Sequence, residues 1–161
     1  MNTLEIEACL RSDPKTSPIF RGVFAADRLP LRAHYPSLYC VNTMAHHHPG
    51  EHWVILFFSR DKCVEYFDSL GRAPRPPWHT EFMKRNARQH LYSRFRVQSL
   101  TSNYCGQYCI MYAMNRARGK SMSAFLNRFS KRDYIANDAL VARTFAHNFP
   151  SWEIRSPNDS R

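Results

Sequence analysis

The chain has 161 residues, of which 43% are hydrophobic and 14% aromatic, and it carries a formal net charge of +10. That length and apolar content fit one folded domain with a real core and exclude a disordered tail. The longest apolar run, Trp53 to Phe58, is far too short to span a membrane, and the acidic start MNTLEIEACLRSDP is not a secretory signal.

Thr3 to Leu10 has an N-cap candidate and apolar residues at Leu4, Ile6, Ala8 and Cys9, which predicts a short helix ending before Pro14. Residues 11 to 37, punctuated by Pro14, Pro18, Pro30 and Pro36, read as irregular. Tyr39 to Asn42 reads as a strand, and Ala45 to Glu51 (AHHHPGE) as a loop. Adjacent histidines on a loop rarely converge on one ion, and no C-x-x-C or H-E-x-x-H accompanies them. The run is therefore expected to form a rim and to hold no metal. WVILFFS (53–59) and CVEYFDS (63–69) are strand candidates joined by a short turn around Arg60-Asp61-Lys62. The prolines of GRAPRPPW (71–78) exclude helix and central strand. Thr80 caps a helix expected over Glu81 to Leu91, with Phe82, Met83, Ala87 and Leu91 inside and Lys84, Arg85 and Arg88 outside. Phe95 to Leu100 is a third strand candidate. A central helix over Cys105 to Ala117 stops near Gly119. Ser121 or Ser123 caps another helix through Phe129, and Asp133 or Asn137 a last one through Phe149. The expected architecture is α+β: a small mixed or antiparallel sheet packed on the helix that starts at Cys105, with flanking helices. One domain over 1–154 and a disordered tail over 155–161 complete the expectation.

The chemistry centres on QSLTSNYCGQYCI (98–110), read as strand, loop and helix with Cys105 at the helix start. There the helix dipole and free backbone N–H groups favour the thiolate, the form that attacks carbonyls. Gly106 lets a substrate backbone come close. A small core cysteine is the ordinary alternative. A cysteine nucleophile needs a base, and the base an orienting group. The hairpin formed by the first two strand candidates can bring His52 and Asp68 together at one rim. Gln98, seven residues before Cys105, could donate to a developing oxyanion together with the Cys105 N–H. Trp53 either walls the site or belongs to the core. Cys109, one turn after Cys105, reads as a packing residue. The five cysteines lack framework spacing, which argues against a disulfide scaffold and for a reducing compartment.

The set His52-Trp53, Phe67-Asp68-Ser69-Leu70-Gly71, Gln98 and Cys105-Gly106, in that order, resembles the adenovirus-type cysteine proteases and their relatives that process SUMO-like modifiers. The Gln-to-Cys separation and Val41-Asn42-Thr43 are similar to the viral branch; Asp68 within FDSLG is similar to the modifier proteases. The resemblance covers roughly residues 5 to 118, and the complete set is specific where single members are weak. It implies an endopeptidase in which Cys105 attacks, His52 moves the proton, Asp68 orients His52 and Gln98 binds the oxyanion. Trp53 and Gly106 would contact substrate. It further implies precursor proteins cut beside small residues, glycine especially, in virion maturation within the host nucleus and the virion, by a monomer. The alternatives are a protease of ubiquitin- or SUMO-like modifiers and a non-catalytic nucleic-acid-binding protein.

From Lys84 to Arg132 there are eleven Lys or Arg and no Asp or Glu. This predicts a DNA-binding surface comprising Lys84, Arg85, Arg88, Arg116, Arg118, Lys120, Arg128, Lys131 and Arg132; a solvated basic face is the plainer reading. No cofactor is needed for the chemistry. The family's disulfide-linked peptide cofactor has no cysteine to hold it in Arg85 to Val97. Stimulation is expected from DNA or a non-covalent peptide.

Overall fold

The structure is a computed structural model that describes residues 1–49, 52–75 and 77–152. The expected tail lies outside the described residues.

A five-stranded mixed sheet runs in the order β1-β2-β3-β4-β5. Its strands are β1 (Phe20–Phe24), β2 (Ser37–Asn42), β3 (Trp53–Phe58), β4 (Cys63–Phe67) and β5 (Gln89–Tyr92). The central three are antiparallel, and the two edge strands each run parallel to their neighbour. The helices are α1 (Thr3–Ser12), α2 (Trp78–Asn86), α3 (Cys105–Ala117), α4 (Met122–Leu126) and α5 (Tyr134–Asn148). A 3-10 turn spans Ala26–Arg28.

The sheet divides the core, and strand alternation decides which side each residue serves. Leu38, Cys40, Ile55, Phe57 and Phe67 pack with α1, α3, α4 and α5. Tyr39, Val41, Val54, Leu56, Phe58, Val64 and Tyr66 pack with Phe82 and Met83 of α2 on the other side. The α3 helix is buried almost all round, from Tyr108 through Asn115. That enclosure holds its N-terminus, and with it Cys105, rigidly at the rim of the sheet.

The expected β3–β4 hairpin and the α3 boundaries hold. Gly119 leaves the end of α3 with a φ of 75°. Ser121 and Asp133 cap α4 and α5 through their side chains. Asn137 lies inside α5, where its amide reaches the Val97 and Ser130 carbonyls. Asn2 and Glu5 close a capping box on α1.

Several expectations are corrected: Thr80 lies inside α2, which starts at Trp78, and α4 ends at Leu126. Residues 20–24 form an edge strand within the stretch read as irregular, because β2 supplies a parallel partner. The α2 helix ends at Asn86, whose side chain binds Ala33 N and the Leu31 carbonyl, and residues 89–92 leave it to pair with β4. Leu91, expected inside, is consequently exposed. Residues 95–100 are not a strand; Val97 N and Gln98 N both donate to the Ser69 carbonyl, at 2.9 and 3.1 Å, and make a loop instead.

Candidate active site

Two segments deliver the polar groups to the rim. His52 immediately precedes β3, and Thr43 N donates to its carbonyl at 2.9 Å, so β2 fixes its backbone. Asp68 immediately follows β4. Its backbone N–H donates to Ser93 Oγ, and the same hydroxyl donates back to the Asp68 carbonyl, each at 3.1 Å. His52 Nε2 then lies 2.6 Å from Asp68 Oδ1, which also accepts from Leu70 N at 2.8 Å. With Nε2 committed to the carboxylate, Nδ1 is the nitrogen left for a second partner, and that partner is the Cys105 thiol.

The electrostatics follow from this geometry. Burial alone would strip the proton from His52, but bonding to Asp68 and Cys105 and their charges raise its pKa to about 9. Burial alone would push the Cys105 thiol up. Bonding to His52, the backbone at Trp53, the imidazolium charge and the backbone at Gly106 bring it below its ordinary value. Both shifts favour a thiolate–imidazolium pair. No side chain caps the first N–H groups of α3, so the positive end of its dipole is open beside Cys105.

Gln98 lies in the same cleft, buried to 2% exposure. Ser69 Oγ donates to its Oε1 at 2.6 Å, which fixes the amide so that Nε2 is its donor end. Nε2 donates to the Ser102 carbonyl at 3.0 Å and approaches Ser102 Oγ at 3.2 Å. Gly71 permits this arrangement. It sits at a φ of 67°, and a Cβ there would meet Arg96 N at 2.6 Å and the Phe95 carbonyl carbon at 2.7 Å. Only glycine lets the 95–98 segment cross so close to the Asp68 turn. Ser69 and Gly71 are thus positioning residues that the sequence reading left without a role, although both stand in the FDSLG stretch.

Trp53 lines the cleft, half-buried, and its Nε1 donates to the Met1 carbonyl at 3.3 Å. Gly106 is buried against Met1, whose Cβ would stand 3.0 Å from a Cβ at position 106. Its smallness therefore serves this contact in the structure. Cys109 is fully buried beside Cys40, and all five cysteines are free thiols. His46 and His47 gather with Asp27, a residue from a different segment.

The nine basic residues do not form one face. Lys84 and Arg85 ride on α2, across the sheet from α3 and α4. Two of the nine are ion-paired within the fold. Arg116 is ion-paired with Glu65 at 2.9 Å, its side chain only 14% exposed. Arg118 forms a two-pronged pair with Asp13, at 2.5 and 3.0 Å. Both are committed to the fold. Of the nine only Arg116 is not exposed; Arg118 keeps an exposed side chain despite its pair with Asp13. Among the described residues no helix is long and apolar enough to cross a membrane.

No known protein family and no curated protein matches the sequence. Solved structures do resemble it. The ASFV pS273R protease aligns at a TM-score of 0.46 with 21% identity, over 62% of this chain and 42% of that one. The C-terminal Ulp1 protease domain, in complex with Smt3, the yeast ortholog of SUMO, aligns at 0.48 with 14% identity, over 92% and 77%. Ulp1 with its catalytic cysteine oxidised to a sulfinic acid aligns at 0.40 with 16% identity, over 70% and 52%. The chain thus spans less than half the length of the ASFV protease and is similar in structure to parts of these cysteine proteases.

Proposed function

We propose that the chain is a cysteine endopeptidase that cleaves precursor proteins beside small residues, glycine above all. One observation carries the reading: the His52 imidazole is held between the Asp68 carboxylate and the Cys105 thiol at the open N-terminus of α3. The Cys105 thiolate attacks the scissile carbonyl carbon. The oxyanion that forms accepts from the Cys105 N–H and from Gln98 Nε2, which gives up Ser102 for it. The His52 imidazolium protonates the leaving amine, and its neutral form then draws a proton from the water that releases the acyl group. Asp68 holds the ring and stabilises its cation throughout.

The expected setting is maturation of virion precursors in the host nucleus, with DNA bound through the exposed basic residues. An activating peptide would associate without a covalent link. The free edge of β5 offers it a place, where Leu91, Tyr92 and Phe95 border a cavity of about 450 Å³. Asp68 within FDSLG supports a second reading, a protease of SUMO-like modifiers. The test is incubation of the chain with a glycine-rich peptide and, separately, with a folded modifier fusion, scored by mass spectrometry. Peptide cleavage that Cys105→Ala abolishes supports the first reading; cleavage of the fusion alone supports the second. If neither is cut and Cys105 reacts no faster than a free thiol, the chain is not a protease.

A further inference from the structure

The fold brings Asp27, 19 residues upstream of His46, to the histidine run. Asp27, in the 3-10 turn Ala26–Arg28, meets the loop between β2 and β3, and Ala26 N donates to the Met44 carbonyl at 2.9 Å to join the two segments. His46 N donates to Asp27 Oδ1 at 2.7 Å, and His46 Nδ1 lies 2.5 Å from Oδ2. The His47 ring packs between its neighbours, its centroid 5.4 Å from that of His46, edge-on, and 4.2 Å from that of His48, tilted. One ligand atom from each of Asp27, His46 and His47 lies within 4.8 Å of the others.

We infer that Asp27, His46 and His47 form a binding site for a divalent transition-metal ion of zinc's class. Two imidazoles and one carboxylate are the donor set that such ions prefer over calcium or magnesium. Zinc bonds of about 2.0–2.2 Å place tetrahedral ligand atoms roughly 3.3 Å apart. The present spacing reaches that with side-chain shifts on the order of an ångström, and His46 and His47 are exposed and free to make them. The backbone bond from His46 N holds one carboxylate oxygen of Asp27 and leaves the other for the ion. Water completes the fourth position.

Arg28 opposes the ion. Its guanidinium lies 2.9 Å from His46 Nε2, so His46 now carries its proton on Nδ1, toward Asp27. An ion on Nδ1 moves that proton to Nε2, and Arg28 turns to solvent. This site stands whether or not the chain is a protease.

The test titrates the full chain carrying Cys105→Ala, which removes the competing thiol–imidazole pair, with Co²⁺ followed by displacement with Zn²⁺. The expected result is one equivalent bound, with a cobalt spectrum free of thiolate charge transfer. His46→Ala, His47→Ala and Asp27→Asn should each weaken binding by about tenfold or more, with unchanged far-ultraviolet circular dichroism. Arg28→Gln should strengthen it, because it removes a cation and frees Nε2. Dissociation constants weaker than about 100 µM would overturn the site. So would binding indifferent to all three ligand substitutions, or a cobalt–sulfur band.

Discussion

His52 Nε2 and Asp68 Oδ1 are 2.6 Å apart in a rim where the two residues are only 6% and 1% exposed. A buried imidazole ordinarily loses its proton, and this one is held protonated up to about pH 9. The carboxylate thus sets both the direction of the ring and the charge that Cys105 meets.

Replacing that charge isolates its role. Asp68→Asn keeps an oxygen for Leu70 N and a hydrogen-bonding group for Nε2, but it cannot stabilise an imidazolium. Turnover of a peptide substrate is expected to fall by about a hundredfold or more with KM nearly unchanged. A variant with wild-type kcat would make Asp68 structural.

The pH dependence has a definite sign. Cys105 is lowered, so its thiolate is present on the acid side of the ordinary thiol range; His52 is raised, so its cation persists until about pH 9. Alkylation of Cys105 by iodoacetamide should therefore stay fast below the ordinary thiol range, and peptide turnover should decline as pH rises through about 9. In His52→Ala the alkylation inflection should move up, because the bond and the charge that lower the thiol are gone. An inflection that stays put would detach Cys105 from His52.

Gln98 and Ser69 form a pair whose effects can be separated. Gln98→Ala removes an oxyanion donor, at a cost to kcat of about a hundredfold, on the scale of other such donors. Ser69→Ala removes only the 2.6 Å bond that orients the amide, so a smaller loss is expected. Equal, full activity in both variants would leave the oxyanion to backbone groups alone.

The basic residues should split by role. Arg118→Ala removes the ion pair of the buried Asp13 carboxylate, which keeps its Thr16 bonds, and should lower stability by about 1–2 kcal/mol, discounted because Arg118 itself is partly exposed. Neither Arg116→Ala nor Arg118→Ala should weaken DNA binding. Joint Lys131→Ala and Arg132→Ala substitution should weaken it and flatten its salt slope. Thermal melts and binding titrations at several salt concentrations separate the two classes; a slope unaltered by the second pair removes DNA from the account.

The hairpin, α3 and the four polar site residues were legible because each leaves a local mark. WVILFF is a continuous apolar run and CVEYF is broken only by Glu65, the two joined by a short turn, and the caps at Ser121 and Asp133 are single-residue signals. Strands β1 and β5 were not legible, because each is short and owes its form to a parallel partner remote in sequence. The same holds for charge. Nothing in the run from Lys84 to Arg132 announces that Arg116 faces Glu65 or Arg118 faces Asp13. Nor does anything near His46 announce Asp27. The stretch Phe95 to Leu100 carries a strand's alternation at Phe95 and Val97, but Gly71 and Ser69 take its backbone into a loop.

The most direct measurement labels the chain with a peptide electrophile ending in glycine and maps the modified cysteine by mass spectrometry. A Cys105 nucleophile activated by His52 predicts fast labelling at Cys105 alone, slowed strongly in His52→Ala, while Cys109→Ala, a packing change of about 1 kcal/mol, labels normally. Labelling at the partly exposed Cys63 at the same rate, or Cys105 labelling that His52→Ala leaves unchanged, would contradict it.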